Sequence, residues 1–368
     1  MKILFTNTAL QDRSGSELYV KEAAEELARR GHTVAAYSKT LGEIAHLMDQ
    51  QGVRTVDDLS RLPWAPDIIH GQHHLETMTA LAYFPNVPAV YFCHGWRPWQ
   101  ETPPLHPRIV RYAAVDSATR DSAIQKYGVP PDKVQLIHNF VDLERFKERG
   151  PLPNKPARAL VFSNYANKSK ANFLALVRKA CGKAGIPVDA IGAGTRPVER
   201  PENFLKDYDL IFAVGRSALE ALATGAAVVI CGVWGVGPMV TLRETEELRD
   251  RNFGVAAMYS KPDADAIYRE ILRYNAEDAA AVTKSLRCLI GIKTTLDKVE
   301  KVYYDAVEKY KRMHIDFADE ARSFSSYLGN ISSFLKQKDR EFSKKEKELI
   351  RIKSSKAWKI THLFNKTK

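Results

Sequence analysis

Short apolar runs along this chain alternate with stretches whose apolar residues recur at helical spacing. Ile3-Leu4-Phe5-Thr6-Asn7 is apolar until its polar end, Asp12 to Ser16 reads as a loop, and Glu17 to Arg30 carries Leu18, Ala24, Leu27 and Ala28 on one face. Gly31 stops that helix and Thr33 to Tyr37 is the next strand. The runs Asp67 to His70, Ala89 to Cys93 and Tyr112 to Val115 continue the alternation. Apolar strands separated by helices predict a buried parallel sheet.

Three prolines, one glycine and dense charge between Leu143 and Ala157 predict a domain linker. The alternation then restarts, with strands at Ala159 to Phe162, Val188 to Ile191, Leu210 to Val214 and Ala226 to Cys231, and helices at Lys170 to Lys183 and Ser217 to Ala223. Two α/β domains follow, with a ligand expected in the cleft beyond their strand ends. From Ala264 onward the pattern is helical. Leu296 to Tyr310 has apolar residues at helical spacing, and residues 316–353 predict a long polar helix or a helical hairpin.

The composition, 45% hydrophobic and 27% charged over 368 residues, fits a soluble globular chain. There is no apolar run of membrane-spanning length, and the start MKILFTNT turns polar too early for a signal peptide, so a cytoplasmic location is expected. Cys93, Cys181, Cys231 and Cys288 are too scattered for a disulfide framework or a CxxC site and read as reduced, mostly buried side chains. Of the net charge of +11, residues 331–368 supply +8, from 12 Lys/Arg against 4 Asp/Glu. The body is nearly balanced, which speaks against a nucleic-acid partner.

Candidate chemistry sits in four strand-end loops. Ser14-Gly15-Ser16-Glu17 places a glycine and a helix start where backbone amides can meet a phosphate, and the same serines suit simple helix capping. Gly215-Arg216-Ser217 opens a short helix closed by Gly225. An anion could dock there beside Arg216, or Ser217 and Glu220 could form a capping box. Lys168, in the loop Phe162 to Lys168, reads as a diphosphate-reaching point charge or as a solvated side chain. His94, after the run Ala89 to Phe92, reads as a group meeting a sugar hydroxyl or as a histidine satisfied by nearby backbone. His70, His73 and His74 have helix-face spacing without a matching cysteine pair, so no metal site is expected. Walker A, GxSxG and HExxH motifs do not occur.

In order, SGSELYVKEAAEELARRGHTVAAY, ATRDSAIQKYGVPPDKVQLIHNFVDLERF and GRSALEALATGAAVVICGVWGVG resemble a family 4 glycosyltransferase of the GT-B fold, over about residues 1–311. The resemblance implies two Rossmann-like domains facing a cleft, at 1–145 and 157–295. It also implies a helix at 296–311 returning to the first domain, leaving 312–368 as a basic helical tail. The implied chemistry is metal-independent, retaining transfer of a sugar from a nucleotide-sugar donor, with no separate cofactor, to a glycan or lipid-linked acceptor. By position, Gly15 with Ser16 would approach the donor phosphate and His94 the transferred sugar. Lys168 matches the phosphate lysine, Glu220 the ribose-holding glutamate, and Gly215, Arg216 and Ser217 the turn before it. The pattern departs at Ser163, where an arginine is expected, and at Phe212, where the first of two glutamates is expected. The competing expectation is a noncatalytic binding or scaffold subunit of the same fold. The tail is expected to meet an anionic membrane surface, at the inner face of the membrane, or to mediate oligomer formation.

Overall fold

The computed structural model describes residues 1–167, 172–354 and 358. Lys168, Lys170 and the tail residues Ile360, Leu363 and Phe364 lie outside the described residues. The chain divides into two compact units, residues 1–103 with 108–313, and 104–107 with 314–368.

The larger unit holds two sheets. The first is built from β1 (Lys2–Thr6), α1 (Gly15–Arg29), β2 (Thr33–Tyr37), α2 (Glu43–Gln50), β3 (Arg54–Val56), β4 (Ile68–Gly71), α3 (His74–Tyr83), β5 (Ala89–Cys93), β6 (Ile109–Ala114), α4 (Ser117–Gln125) and β7 (Val134–Leu136). Its order is β3-β2-β1-β4-β5-β6-β7, parallel throughout. The strands read as apolar runs because both faces are covered: Ile3, Leu4 and Phe5 are completely buried. Chain order reverses between β1 and β4, so the loops leaving these two strands flank a crevice at their carboxyl ends.

The second sheet comes from β8 (Ala159–Phe162), α5 (Phe173–Lys183), β9 (Val188–Ile191), α6 (Glu202–Leu205), β10 (Leu210–Ala213), α7 (Arg216–Ala223), β11 (Ala227–Gly232) and β12 (Gly235–Met239), ordered β9-β8-β10-β11-β12 with only β12 antiparallel. Its reversal point lies between β8 and β10, so the loop after Phe162 and the turn at Gly215 open the corresponding crevice. The helices α8 (Thr245–Asp250), α9 (Ala264–Ile271) and α10 (Ala276–Arg287) complete this half, and α11 (Ile292–Lys311) follows. Leu296, Val299, Tyr303 and Ala306 of α11 join Val20, Ala24 and Leu27 of α1 in the core of the first sheet. Each fully buried Leu or Val stabilises by roughly 1.5–3 kcal/mol, which fastens the chain back onto its first half.

Asp209 explains the path of the segment between the halves. It accepts from Arg149 Nη2 at 2.9 Å and from the Ala157 amide at 2.8 Å. The smaller unit is dominated by α12 (Phe317–Ser354), a single helix of 38 residues rather than a hairpin. Its first turns rest on the segment 104–107: Ser323 Oγ donates to the Leu105 carbonyl and the Phe324 ring lies 4.7 Å from His106. Among the described residues, no helix is long and apolar enough to cross a membrane.

Candidate functional site

The loop after β1 delivers Ser14 as the N-cap of α1, and Gly15 is the first helical residue. Ser14 makes no side-chain bond to the backbone; its hydroxyl donates to Glu17 Oε1 at 3.1 Å, and Glu17 Oε2 accepts the Asp12 amide at 2.5 Å. Glu17 thus braces the loop from inside the helix, while the amides of Gly15, Ser16 and Glu17 have no backbone acceptor among the described residues. A side chain at Gly15 would project into open space. Ser16 Oγ lies 3.5 Å from Ser14 Oγ.

On the other half, Gly215 precedes α7 with φ +63° and ψ −128°, a conformation that essentially only glycine adopts. Its amide donates to Phe253 O, and the first helical bond runs from Leu219 to Gly215, leaving the amides of Arg216, Ser217 and Ala218 without a backbone acceptor among the described residues. The capping box that was the alternative reading of Ser217 and Glu220 does not form. The helix begins one residue earlier, no side chain caps it, and Glu220 Oε1 instead accepts from Arg216 Nε at 2.8 Å.

Arg216 is not a loose positive charge. Its Nη2 also donates to Glu22 on α1, so one guanidinium joins the two halves. Burial works against its charge, but Glu22 and Glu220 hold it ionised and raise its pKa. Glu220 moves upward, because its burial outweighs the attraction of Arg216. Arg145 adds a second tie, bonding Glu22 Oε1 at 2.8 Å and Glu202 at 3.1 Å. Arg13, paired with Glu43 at 2.7 Å, reaches the Glu199 carbonyl of the second half at 3.1 Å.

His94 follows β5 and is placed against α1 by its edge-on contact with Tyr19, ring centres 4.3 Å apart. Its amide donates to Glu101 Oε2 at 3.1 Å, and its Nε2 is buried with no hydrogen-bond partner. Burial lowers its pKa to about 4; Glu101 opposes the shift, and His73 and Arg216 add to it. The ring is therefore neutral near pH 7. Glu101 is held below the usual carboxylate range against its own burial by His73 and His94.

Arg216 joins Glu22 of α1 to Glu220, Gly215 and Ser217 flank it at the start of α7, and His94 lies beside Tyr19 of α1, the helix that begins with Gly15 and Ser16. Lys168 lies outside the described residues, two positions beyond Ala166. Ser163 accepts the Tyr165 amide at 3.1 Å in a local turn, and Phe212 is a fully buried strand residue. The three neighbouring histidines do not share a helix face. His70 lies on β4, stacked between Phe5 and Phe92, His73 is the N-cap of α3 and His74 its first residue. Among the described residues no three His, Cys, Asp or Glu side chains converge as metal ligands. Cys93, Cys181 and Cys231 are buried and Cys288 is exposed.

Sequence reasoning did not single out Tyr19, Glu22, Glu101 and Arg145. It also passed over Tyr165 and Trp234, half-exposed rings 5.1 Å apart beyond the ends of β8 and β11. Trp234 could have been noticed, because a large aromatic between Val233 and Gly235 directly after a buried strand is an unusual turn residue.

Residues 13–145 match the model of Glycosyltransferase Family 4. No curated protein sequence matches the chain. Among solved structures it is similar to a glycosyltransferase from Rickettsia africae (14% identity, 83% of this chain and 98% of the other, TM-score 0.56). It is also similar to Anabaena HepE in complex with UDP and glucose (14%, 82% and 99%, 0.57) and to sucrose-phosphate synthase of Thermosynechococcus elongatus (14%, 83% and 98%, 0.54).

Proposed function

We propose that this chain, a family 4-like glycosyltransferase of the GT-B fold by its match over residues 13–145 and its two-sheet architecture, transfers a hexose from a nucleotide-sugar donor to a glycan or lipid-linked acceptor. The observation that carries this reading is that Arg216 bonds both Glu220 and Glu22, tying the helix that begins at Gly15 to the helix that follows Gly215, each with first-turn amides that have no backbone acceptor among the described residues.

A leaving nucleoside diphosphate gains negative charge as the anomeric C–O bond breaks. Amides of Gly15, Ser16, Arg216 and Ser217, with Lys168, would stabilise that charge from fixed positions. Glu220 keeps Oε2 for a ribose hydroxyl while Oε1 stays on Arg216. The neutral His94, its Nε2 buried without a partner, would hold a hydroxyl of the transferred sugar rather than attack it. The acceptor oxygen would bond the anomeric carbon on the face the diphosphate leaves, which retains configuration, and its proton would pass to the departing phosphate oxygen. The charge stabilisers named are all protein groups, and we propose that no divalent ion is required. We place the reaction in the cytoplasm, at the inner face of the membrane where the acceptor is lipid-linked.

The test is a screen of nucleotide sugars for release of free nucleoside diphosphate, with and without EDTA, together with nucleoside diphosphate binding. Release that persists in EDTA and falls in His94→Ala supports the reading. Binding without release under any donor and acceptor would replace it with a binding subunit, and restoration by added manganese or magnesium would overturn metal independence.

A further inference from the structure

We propose that α12 pairs with α12 of a second copy of this chain, as a parallel two-stranded coiled coil over residues 328–352. Leu328, Leu335, Phe342 and Leu349 recur every seven residues and are 64%, 57%, 68% and 50% exposed. Three residues beyond these stand Ile331, Lys338, Lys345 and Ile352, so the two series alternate at steps of three and four. Taking Leu328 as position a, they are the a and d rows of a heptad repeat.

A strict seven-residue repeat drifts by about 20° per heptad around a straight helix, so the row stays on one seam only if two helices supercoil together. Charge selects the occupant. Between residues 335 and 349 the e and g positions are Asp339, Glu341, Glu346 and Glu348, all acidic, while the d positions are Lys338 and Lys345. In a parallel pair, each d side chain lies next to the e position of the other helix, so Lys338 meets Asp339 of the second copy and Lys345 meets Glu346. Glu348 at g meets Lys353 at e of the second copy, and the one like-charge contact of this register, Glu341 with Glu346 of the second copy, is offset by Lys338, which holds Glu341 of its own helix at 2.8 Å. A two-stranded seam leaves the lysine heads a route to water, which a larger bundle would close. A lipid face is less well matched, because the apolar row is one residue wide and flanked by carboxylates.

The full chain, sedimented across a wide concentration range, is expected to be a dimer. Leu335→Glu combined with Phe342→Glu, both at exposed positions, should give a monomer with an unchanged melting temperature for the body. With Cys288→Ser, which removes the exposed cysteine, Leu335→Cys should cross-link to itself under mild oxidation, as a parallel in-register pair requires. A wild-type monomer, or a dimer that survives the double substitution, overturns the proposal; a dimer that does not cross-link at 335 overturns the parallel register. A monomer that binds anionic vesicles through this seam, and loses that binding in the double variant, assigns the seam to lipid and also overturns it.

Discussion

Arg216 of α7 and Glu22 of α1, separated by 194 positions in sequence, meet in a buried ion pair between the two halves, and the same guanidinium holds Glu220. Their side chains are only 14% and 6% exposed, so unpairing one leaves the others charged in a poorly solvated place. Arg216→Met strands two carboxylates together and should cost about 3–5 kcal/mol, the range for breaking a buried pair. Glu22→Gln leaves Arg216 on Glu220 and Arg145 on Glu202, so the loss should be smaller, about 1.5–3 kcal/mol, that of a hydrogen bond to a charged group. Urea unfolding of both variants checks the order; an equal or smaller loss for Arg216→Met would show that the pair does not tie the halves.

Glu22 and Glu220 share one arginine but differ in their proposed role, which makes them a matched test of donor binding. Glu220→Gln should weaken nucleoside diphosphate affinity ten- to a hundredfold, corresponding to roughly 1.5–3 kcal/mol for a lost charge-assisted contact. Glu22→Gln should change it little. Calorimetric titration of both variants decides; equal losses would mean that Glu220 acts only through Arg216.

Acid should destabilise the fold through its neutral histidines. Burial lowers His74 and His94 from 6.5 to about 4, so between these values the unfolded chain binds more protons and stability falls as the pH drops. The raised carboxyls of Glu17, Glu76 and Glu220 act in the opposite direction above their ordinary value of 4.5, so the histidine part must be isolated by difference. The stability advantage of wild type over His94→Gln should shrink from pH 7 to pH 5, by at most about 1.4 kcal/mol per unit. A constant difference would mean that His94 is already solvated in the folded protein.

The alternation of strands and helices was legible because each depends on a local period and local stop signals. The places of Gly15, His94 and Gly215 at element ends were legible for the same reason, as each stands where a buried strand or its loop gives way to the next element. Glu22 was not. It is one of several glutamates on α1, and what distinguishes it is Arg216, which only the packing of two sheets brings near. Glu220 was named by position while its local spacing with Ser217 allowed a backbone cap, and the structure places its carboxylate on Arg216 instead. The histidine triplet has helical spacing, yet β4 runs to Gly71 and the helix begins only at His74, so the three do not share a helix face.

Gly192, at the end of β9, is the place where the backbone itself should resist substitution. It has φ +131°, and a Cβ there would stand 2.3 Å from the Ser163 carbonyl oxygen and 2.5 Å from its carbon, the backbone of the loop that leads to Lys168. Neither atom can rotate away, because Ser163 is fixed by its amide bond to Ile191 O and Gly192 by its own to Arg196 O. Gly192→Ala should therefore cost about 3 kcal/mol or more, combining overpacking with a strained φ. It should also weaken nucleoside diphosphate binding by displacing the loop. Gly182, inside α5, is the control: nothing lies within 4 Å of its added Cβ. Gly182→Ala should stabilise by roughly 0.5–1 kcal/mol through helix propensity alone. Melting temperatures and nucleotide titrations of both variants test this; a Gly192→Ala protein as stable as wild type with intact binding would show that the end of β8 yields, and that the loop toward Lys168 is not held against β9.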